Sequence, residues 1–437
     1  MADRTKTRAG IWVLVALGAF WVAPGHAQTT GNQLEDEDDT ADLRVGAETR
    51  VSDNIKRRKD GSESDIELFT YTQLDYRKDV QDRCRVSAAG TFGYRTWQDE
   101  SYDSQFSTDG RFFGICRLAE GFNWRLEDQV NQLTRNSRLP DTPSNETRRN
   151  VFSTGPSYTY RLSALDSFTL RGNFQNTTYG NSEDPDSNRY TGSVSYQHIF
   201  SSTLSGGVSA SHSLAEYDTD LDVTTDAVSL FANKSWVTTS IDGSVGTSRV
   251  TTTSDGSESS FDGWTAELGL TRKLSPDSRF RISARRDLSD QTSFFTVLIN
   301  GFEFDLEQSV VVEVTSLSAS YIRELSERET LDISFFADQT DYVSTGQEET
   351  NVQGSIDYSR PLAARLSLGL SGALRYQTFA ETTGEYVLGK ISAALSYEFA
   401  RDFYLQGAIG QNRRVDSEAQ GDYVENWISG ALIYEIF

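Results

Sequence analysis

Residues Ala364–Thr378 read A-R-L-S-L-G-L-S-G-A-L-R-Y-Q-T. Leu366, Leu368, Leu370, Gly372, Leu374 and Tyr376 fall on one parity; Arg365, Ser367, Gly369, Ser371, Ala373, Arg375 and Gln377 fall on the other. Successive side chains of a strand point to opposite faces, so this is a strand with one apolar and one polar face. Strands of ordinary sheets usually run about five or six residues, whereas a tilted strand crossing a bilayer needs about 9–11. The stretch supplies that length. Its reading is an all-β fold, a transmembrane antiparallel up-and-down β-barrel.

The bulk composition hides such a fold. A mean hydropathy of -0.50 and 37% hydrophobic residues resemble a water-soluble protein. Lumen-facing polar residues dilute every window of a barrel strand, which explains the low value. Past the N-terminus no run approaches the 18 or more apolar residues of a membrane helix, which excludes a helical membrane protein. The N-terminus itself reads as a secretory signal: Arg4, Lys6 and Arg8, an apolar core from Ile11 to Val22, and Gly25-His26-Ala27 as a small-x-small cleavage site. Cleavage is expected after Ala27, giving a signal peptide over 1–27, a disordered acidic periplasmic lead over 28–41 and one barrel over 42–437. The net charge of -23 argues against nucleic acid as a partner. It names no ligand, because acidic loops suit any solvated exterior.

From Asp42 onward alternating segments recur, joined in turn by short and long connections. Ser163-Ala164-Leu165, Ser201-Ser202 and Ala400-Arg401 are short; 135–148, 179–188, 216–223 and 415–422 are long and polar. Twenty strands fit this rhythm, with eighteen as the fallback count. Even parity is the habit of bacterial single-chain barrels and sets the short turns on the periplasmic side.

Two hairpins fix their own register. Asn300-Gly301 is a strong two-residue turn signal. Pairing outward from it joins segments 278–299 and 302–324 and sets Ala284 against Leu317, Ile282 against Ala319, and Phe280 against Tyr321. The tip of that hairpin stands clear of the membrane or folds inward, where Phe294, Phe295, Phe302 and Phe304 would narrow the lumen. A second hairpin turning near Glu100 sets Phe92 against Thr108, Tyr94 against Phe106 and Cys84 against Cys116. In an exported chain that opposition predicts a cross-strand disulfide near the periplasmic rim. Pro156, inside the segment 149–162, predicts a bulge or a local break.

The polar faces supply the candidate pore lining: Arg95, Arg111, Arg125, Arg171, Arg281, Arg285, Arg365, Arg375 and Lys390. Glu48, Glu67, Glu127, Asp332, Asp338 and Glu398 share those faces. Two accounts stand side by side. In one, arginines and carboxylates pair and hold the lumen together; in the other, they line a water-filled channel that favours anionic solutes. Barrels of sixteen or more strands leave an aqueous lumen. No enzymatic chemistry is expected: His198 and His212 fall on lipid-facing parity, whereas Ser211 and Ser213 point to the other face. Neither a cofactor nor a metal is expected, since Asp218-x-Asp220-x-Asp222 lacks the glycine and distal glutamate of a calcium loop.

The last segment, Y423-V-E-N-W-I-S-G-A-L-I-Y-E-I-F437, alternates to an aromatic end. Tyr434 and Phe437 are the candidate assembly signal, and they lie three apart where the usual terminal aromatics lie two apart. With the signal peptide, the acidic lead and the long hairpins, the chain resembles an outer-membrane β-barrel porin family of Gram-negative bacteria associated with exopolysaccharide export. The resemblance implies a passive conduit, in its sharper form for an acidic polysaccharide. It also implies partners: outer-membrane lipid and lipopolysaccharide, the barrel-insertion machinery, and periplasmic polysaccharide-export components. Oligomeric state stays open. The runner-up is a non-conducting structural or adhesion barrel that displays its acidic loops.

Overall fold

A computed structural model describes residues 39–80, 83–136, 138–180, 184–254, 256–290, 311–326, 329–343, 345–379, 384–417 and 421–437. Twenty strands run through them. The first ten are β1 (Thr40–Ser52), β2 (Asp65–Val80), β3 (Cys84–Trp97), β4 (Gln105–Ala119), β5 (Phe122–Thr134), β6 (Glu146–Arg161), β7 (Asp166–Tyr179), β8 (Ser187–Ser201), β9 (Leu204–Tyr217) and β10 (Leu221–Ser235). The second ten are β11 (Thr239–Ser254), β12 (Ser257–Ser275), β13 (Ser278–Asp290), β14 (Val311–Ser326), β15 (Glu329–Tyr342), β16 (Gln347–Ala363), β17 (Leu366–Thr378), β18 (Glu385–Ala400), β19 (Phe403–Asp416) and β20 (Tyr423–Glu435). Each is antiparallel to its chain neighbour, and β1 also pairs with β20 from Arg44↔Glu435 to Ser52↔Trp427. The sheet therefore closes on itself as an all-β barrel.

Closure leaves no second layer to cover the apolar parity, which must face outward. Leu370 and Leu374 of β17 are exposed, as are Ile391 and Leu395 of β18 and Ile409 of β19. Aromatic residues ring this band: Trp124, Tyr160, Phe168, Phe200, Phe403 and Tyr434 toward one end, and Phe92, Tyr94, Phe106, Tyr190 and Trp264 toward the other. A charge at mid-depth on this face would cost about 2–4 kcal/mol, and the alternation avoids it. Strands of 13 to 19 residues exceed the span of the hydrocarbon, so their far ends stand above it.

The near-end turns are tight. Register shifts beside them at Arg117/Ala119, Ile199/Ser201, Lys273/Ser275, Glu324/Ser326, Pro361/Ala363 and Glu398/Ala400 mark one extra residue per hairpin. Gly121 shows why such a turn selects its residue. Its φ is 73°, and a Cβ there would lie 2.4 Å from the carbonyl oxygen of Thr159.

Both registers read from the sequence hold in the described residues. Ala284 faces Leu317, Ile282 faces Ala319 and Phe280 faces Tyr321. Cys84 faces Cys116, Phe92 faces Thr108 and Tyr94 faces Phe106. Pro156 makes a break and no bulge: Thr154↔Phe174 and Ser157↔Arg171 keep one register, while Gly155 and Pro156 leave the β7 ladder. The barrel begins at Thr40, two residues before the expected boundary. The signal peptide 1–27, residues 28–38 of the lead and the Asn300-Gly301 turn with its four phenylalanines lie outside the described residues.

Candidate functional site

The lumen is narrowed by two segments that fold inward from the long-connection end. The first joins β5 to β6 and builds itself around Asn145. That side chain donates to the carbonyls of Asn136 (2.8 Å) and Pro140 (3.1 Å), and its Oδ1 accepts from the Asn136 amide (3.1 Å). A 3-10 turn over Pro143–Asn145 completes the clasp, with Thr142 and Asn145 buried. Thus shaped, the loop crosses the mouth. Arg414 of β19 donates to the carbonyls of Arg138 (2.8 Å) and Leu139 (2.9 Å), and the Arg138 guanidinium sits over Phe379, 5.5 Å from its ring centre. The Asp141 carboxylate lies 3.4 Å from Lys390 of β18 and 3.8 Å from Arg57. Burial alone would raise the Asp141 carboxyl, but Lys390, Arg57 and Arg375 outweigh it and hold it down at about 2.

Arg57 belongs to the connection between β1 and β2, which leans over the same mouth. It bonds Glu425 of β20 at 2.9 Å. The Glu425 carboxylate is wholly buried and also accepts from Arg50 (2.9 Å), Ser52 (2.9 Å) and Asn412 (2.8 Å). A buried carboxylate with four donors is held in place, and removing one charged partner costs about 3–5 kcal/mol.

The second inward segment is the far end of β13 and β14. β13 leaves β12 after Ala266↔Arg286, while its pairing with β14 continues to Asp290↔Val311. Beyond that point it leans across the inner face of β12 toward β11. Leu288, Val311, Tyr217, Val223 and Val250 form a buried apolar cluster, and Asp290 meets Arg189 of β8 at 2.5–2.7 Å and Tyr217 at 3.0 Å. In the described residues, then, the long hairpin bends into the lumen instead of standing clear of the membrane. Apolar side chains at its far end drive that bend.

Eight of the nine candidate pore residues lie on lumen-facing parity, most beside a carboxylate. Arg95 is 3.6 Å from Glu67; Arg111 (2.6 Å) and Arg125 share Glu127; Arg285 is 2.5 Å from Asp287. Arg375 and Lys390 flank Asp141, and Arg281 acts on Asp242. Arg171 is exposed on the inner face of β7. Arg365 is a correction: β16 ends at Ala363 and β17 starts at Leu366, so it occupies the turn at the near rim and lines no pore. Its carbonyl accepts from the Glu398 amide instead.

Cys84 and Cys116 are joined by a disulfide on the outward parity of β3 and β4. Tyr434 faces outward and stacks on Phe403 with ring centres 4.5 Å apart. Phe437 lies past the end of β20, yet its carbonyl accepts from the Leu43 amide at 3.1 Å. His198 and His212 face outward and hydrogen-bond Asp166 and Asp226, whereas Ser213 faces inward beside Thr191.

Sequence reasoning missed Asp141, Arg57, Glu425, Arg414, Arg189 and Asp290. Parity alone would have put Arg189, Arg414 and Glu425 on inner faces. Asn136 and Asn145, with Pro140 and Pro143 between them, were the remaining signal that 135–148 is a built loop.

No protein-family model matches the sequence, and no curated protein resembles it. Solved structures resemble it distantly. The siderophore receptor PirA from Pseudomonas aeruginosa is 8% identical, with 92% of this chain and 81% of that chain covered at a TM-score of 0.44. The FrpB iron transporter from Neisseria meningitidis is 7% identical, with 92% and 83% covered at 0.45. A loop L8 deletion mutant of OmpT, an outer membrane protein of Vibrio cholerae, is 9% identical, with 91% and 100% covered at 0.36. At such values the likeness says nothing about what the chain carries. Closure, even strand number and an outward apolar band, read from the chain itself, place it in a bacterial outer membrane.

Proposed function

We propose that the protein is a narrowed channel, and no enzyme, through which small polar solutes diffuse with a mild preference for anions. One observation carries this reading. On β4, β5 and β7 the guanidiniums of Arg111, Arg125 and Arg171 face the lumen, and the first two share the single carboxylate of Glu127. That wall bears excess positive charge. Ten strands round the barrel, Asp332 of β15 faces Asp357 of β16, so the opposite wall is acidic. An anion passing the inward loop has a lane of donors along one side, while the acidic wall keeps the preference mild.

A carboxylated polysaccharide is the sharper form of the proposal, since its repeating anions suit a strip of arginines better than a single bound ion does. Reconstitution in planar bilayers tests the general form. An open, weakly anion-selective conductance is expected, and a closed or strongly cation-selective barrel would refute it. The polysaccharide form is tested by a strain lacking the protein: secreted acidic polysaccharide should fall, and unchanged secretion would leave only the general channel.

A further inference from the structure

Two carboxylates enter one basic corner of the mouth, and they are seated very differently. The registers set Arg375 of β17 opposite Leu388 of β18, and Leu388 opposite Arg414 of β19; Lys390 stands two residues deeper, opposite Asn412. Arg50 and Arg57 approach from the seam between β20 and β1. Glu425 projects into this corner from the wall itself, whereas Asp141 is brought there by the β5–β6 loop.

Glu425 fits its place. It accepts four bonds of 2.8–2.9 Å, and its side chain is 1% exposed. Asp141 is attracted without being fitted. It meets Lys390 at 3.4 Å and Arg57 at 3.8 Å, both through the same oxygen, Oδ2, and its side chain is 33% exposed. A charged donor that suits a carboxylate draws it in to about 2.7–2.9 Å. Nor does the loop need this side chain for its own shape. The Asn145 clasp bonds the backbone of Asn136 and Pro140, and Arg414 takes the carbonyls of Arg138 and Leu139. The Asp141 carboxylate can therefore leave the corner while the clasp and the Arg414 anchor stay intact.

We propose that Asp141 is a tethered stand-in for a solute carboxylate: Lys390, Arg57 and Arg375 form a carboxylate-binding subsite at the mouth, and an entering solute occupies it by displacing Asp141. The inference rests on the channel reading above and gives it an entry step. Three converging cations with no resident counter-charge would hold an anion too firmly. A passage needs a site that draws the solute in and then releases it. The tether supplies the release. A side chain anchored beside the site competes at an effective concentration of about a millimolar or more, and the apparent affinity falls with the fraction of time the site stands empty. The exchange also keeps the corner neutral, since one carboxylate leaves as another arrives. Lys390 and Arg57, both mostly buried, are then compensated throughout.

The test is saturation-transfer NMR on the full-length protein in detergent, observing the ligand. D-galacturonate is the probe, and D-galactose, the same ring without the carboxylate, is its control. Galacturonate should bind the wild type at about millimolar concentration, and galactose should give no saturable signal. Asp141→Asn discharges the tether and should lower the Kd for galacturonate at least about tenfold. Adding Lys390→Met to that variant should cancel the gain. Glu63→Gln deletes another carboxylate from the same end of the barrel, one bonded to Lys56 at 2.8 Å, and should change the Kd less than about twofold. Equal gains from Asp141→Asn and Glu63→Gln would overturn the proposal, because a general field would then explain both. Galactose binding as well as galacturonate would overturn it too. Asp141→Ser replaces Asp141→Asn if the latter fails to assemble. The readout needs no conduction, so the two readings fail separately. An anion-selective barrel whose galacturonate affinity ignores Asp141→Asn refutes the stand-in alone, whereas a barrel closed in planar bilayers refutes the channel on which it rests.

Discussion

Two segments reach into the same lumen, and they are held there by different physics. The β5–β6 loop carries little apolar surface and is held almost entirely by charge: Asp141 against Lys390 and Arg57, and its carbonyls against Arg414. The far end of β13 and β14 brings Leu288 and Val311 into an apolar cluster and adds one buried ion pair, Arg189–Asp290. Charge acts at a distance and is weakened by salt and pH; apolar burial is insensitive to both. The first segment is therefore the adjustable one and the second the fixed one.

Four experiments break or sharpen that contrast. The largest effect is expected from Arg189→Ala, which takes from the buried Asp290 carboxylate the guanidinium that bonds it at 2.5–2.7 Å; about 3–5 kcal/mol is lost from the fixed segment. Single-channel recordings should then show new, larger conductance levels. Leu288→Ala removes apolar contact from the same place at about 2–4 kcal/mol, and its effect should not change between low and high salt. Asp141→Asn withdraws a charge-assisted contact worth about 1.5–3 kcal/mol. It should raise conductance and anion preference together, because Lys390 and Arg57 are left facing the passage. Unlike Leu288→Ala, its effect should shrink as ionic strength rises.

Acid provides the smallest and most selective effect. The Asp141 carboxyl is lowered from 3.8 to about 2, so its contribution is complete above pH 4 and is lost as pH falls through about 2. Conductance in the wild type should stay level from pH 8 to about 4 and change only below that, and Asp141→Asn should abolish the step. A wild-type step near neutrality would mean that another group controls the loop.

The wall was legible from sequence because its determinants are local. Alternation in Leu366–Tyr376 needs no knowledge of neighbours, and the Cys84/Cys116 and Ala284/Leu317 pairings follow from the turns between them. Lumen facing followed from parity, which serves for Arg111 or Lys390 and fails at Arg365, where the strand had already ended. The contents of the mouth were not legible. Lys390 and Asp141 are 249 positions apart, and Arg414 and Arg138 are 276 apart. Such partners meet only because the sheet curves shut, and no periodicity encodes the chord a loop will take. For the same reason the sequence left the course of the β13–β14 hairpin open between standing clear and folding inward: Leu288 looks like another apolar strand residue until the barrel supplies Tyr217 and Val250 to receive it.

Glu425 carries a consequence for how the molecule is made. It sits on the final strand, while three of its four donors, Arg50, Ser52 and Arg57, belong to the first strand and the connection that follows it. Sealing the cylinder and capping its entrance are thus a single event. A nascent barrel still gaping at its seam would also be one whose entrance stands unguarded, and the two defects should be cured together.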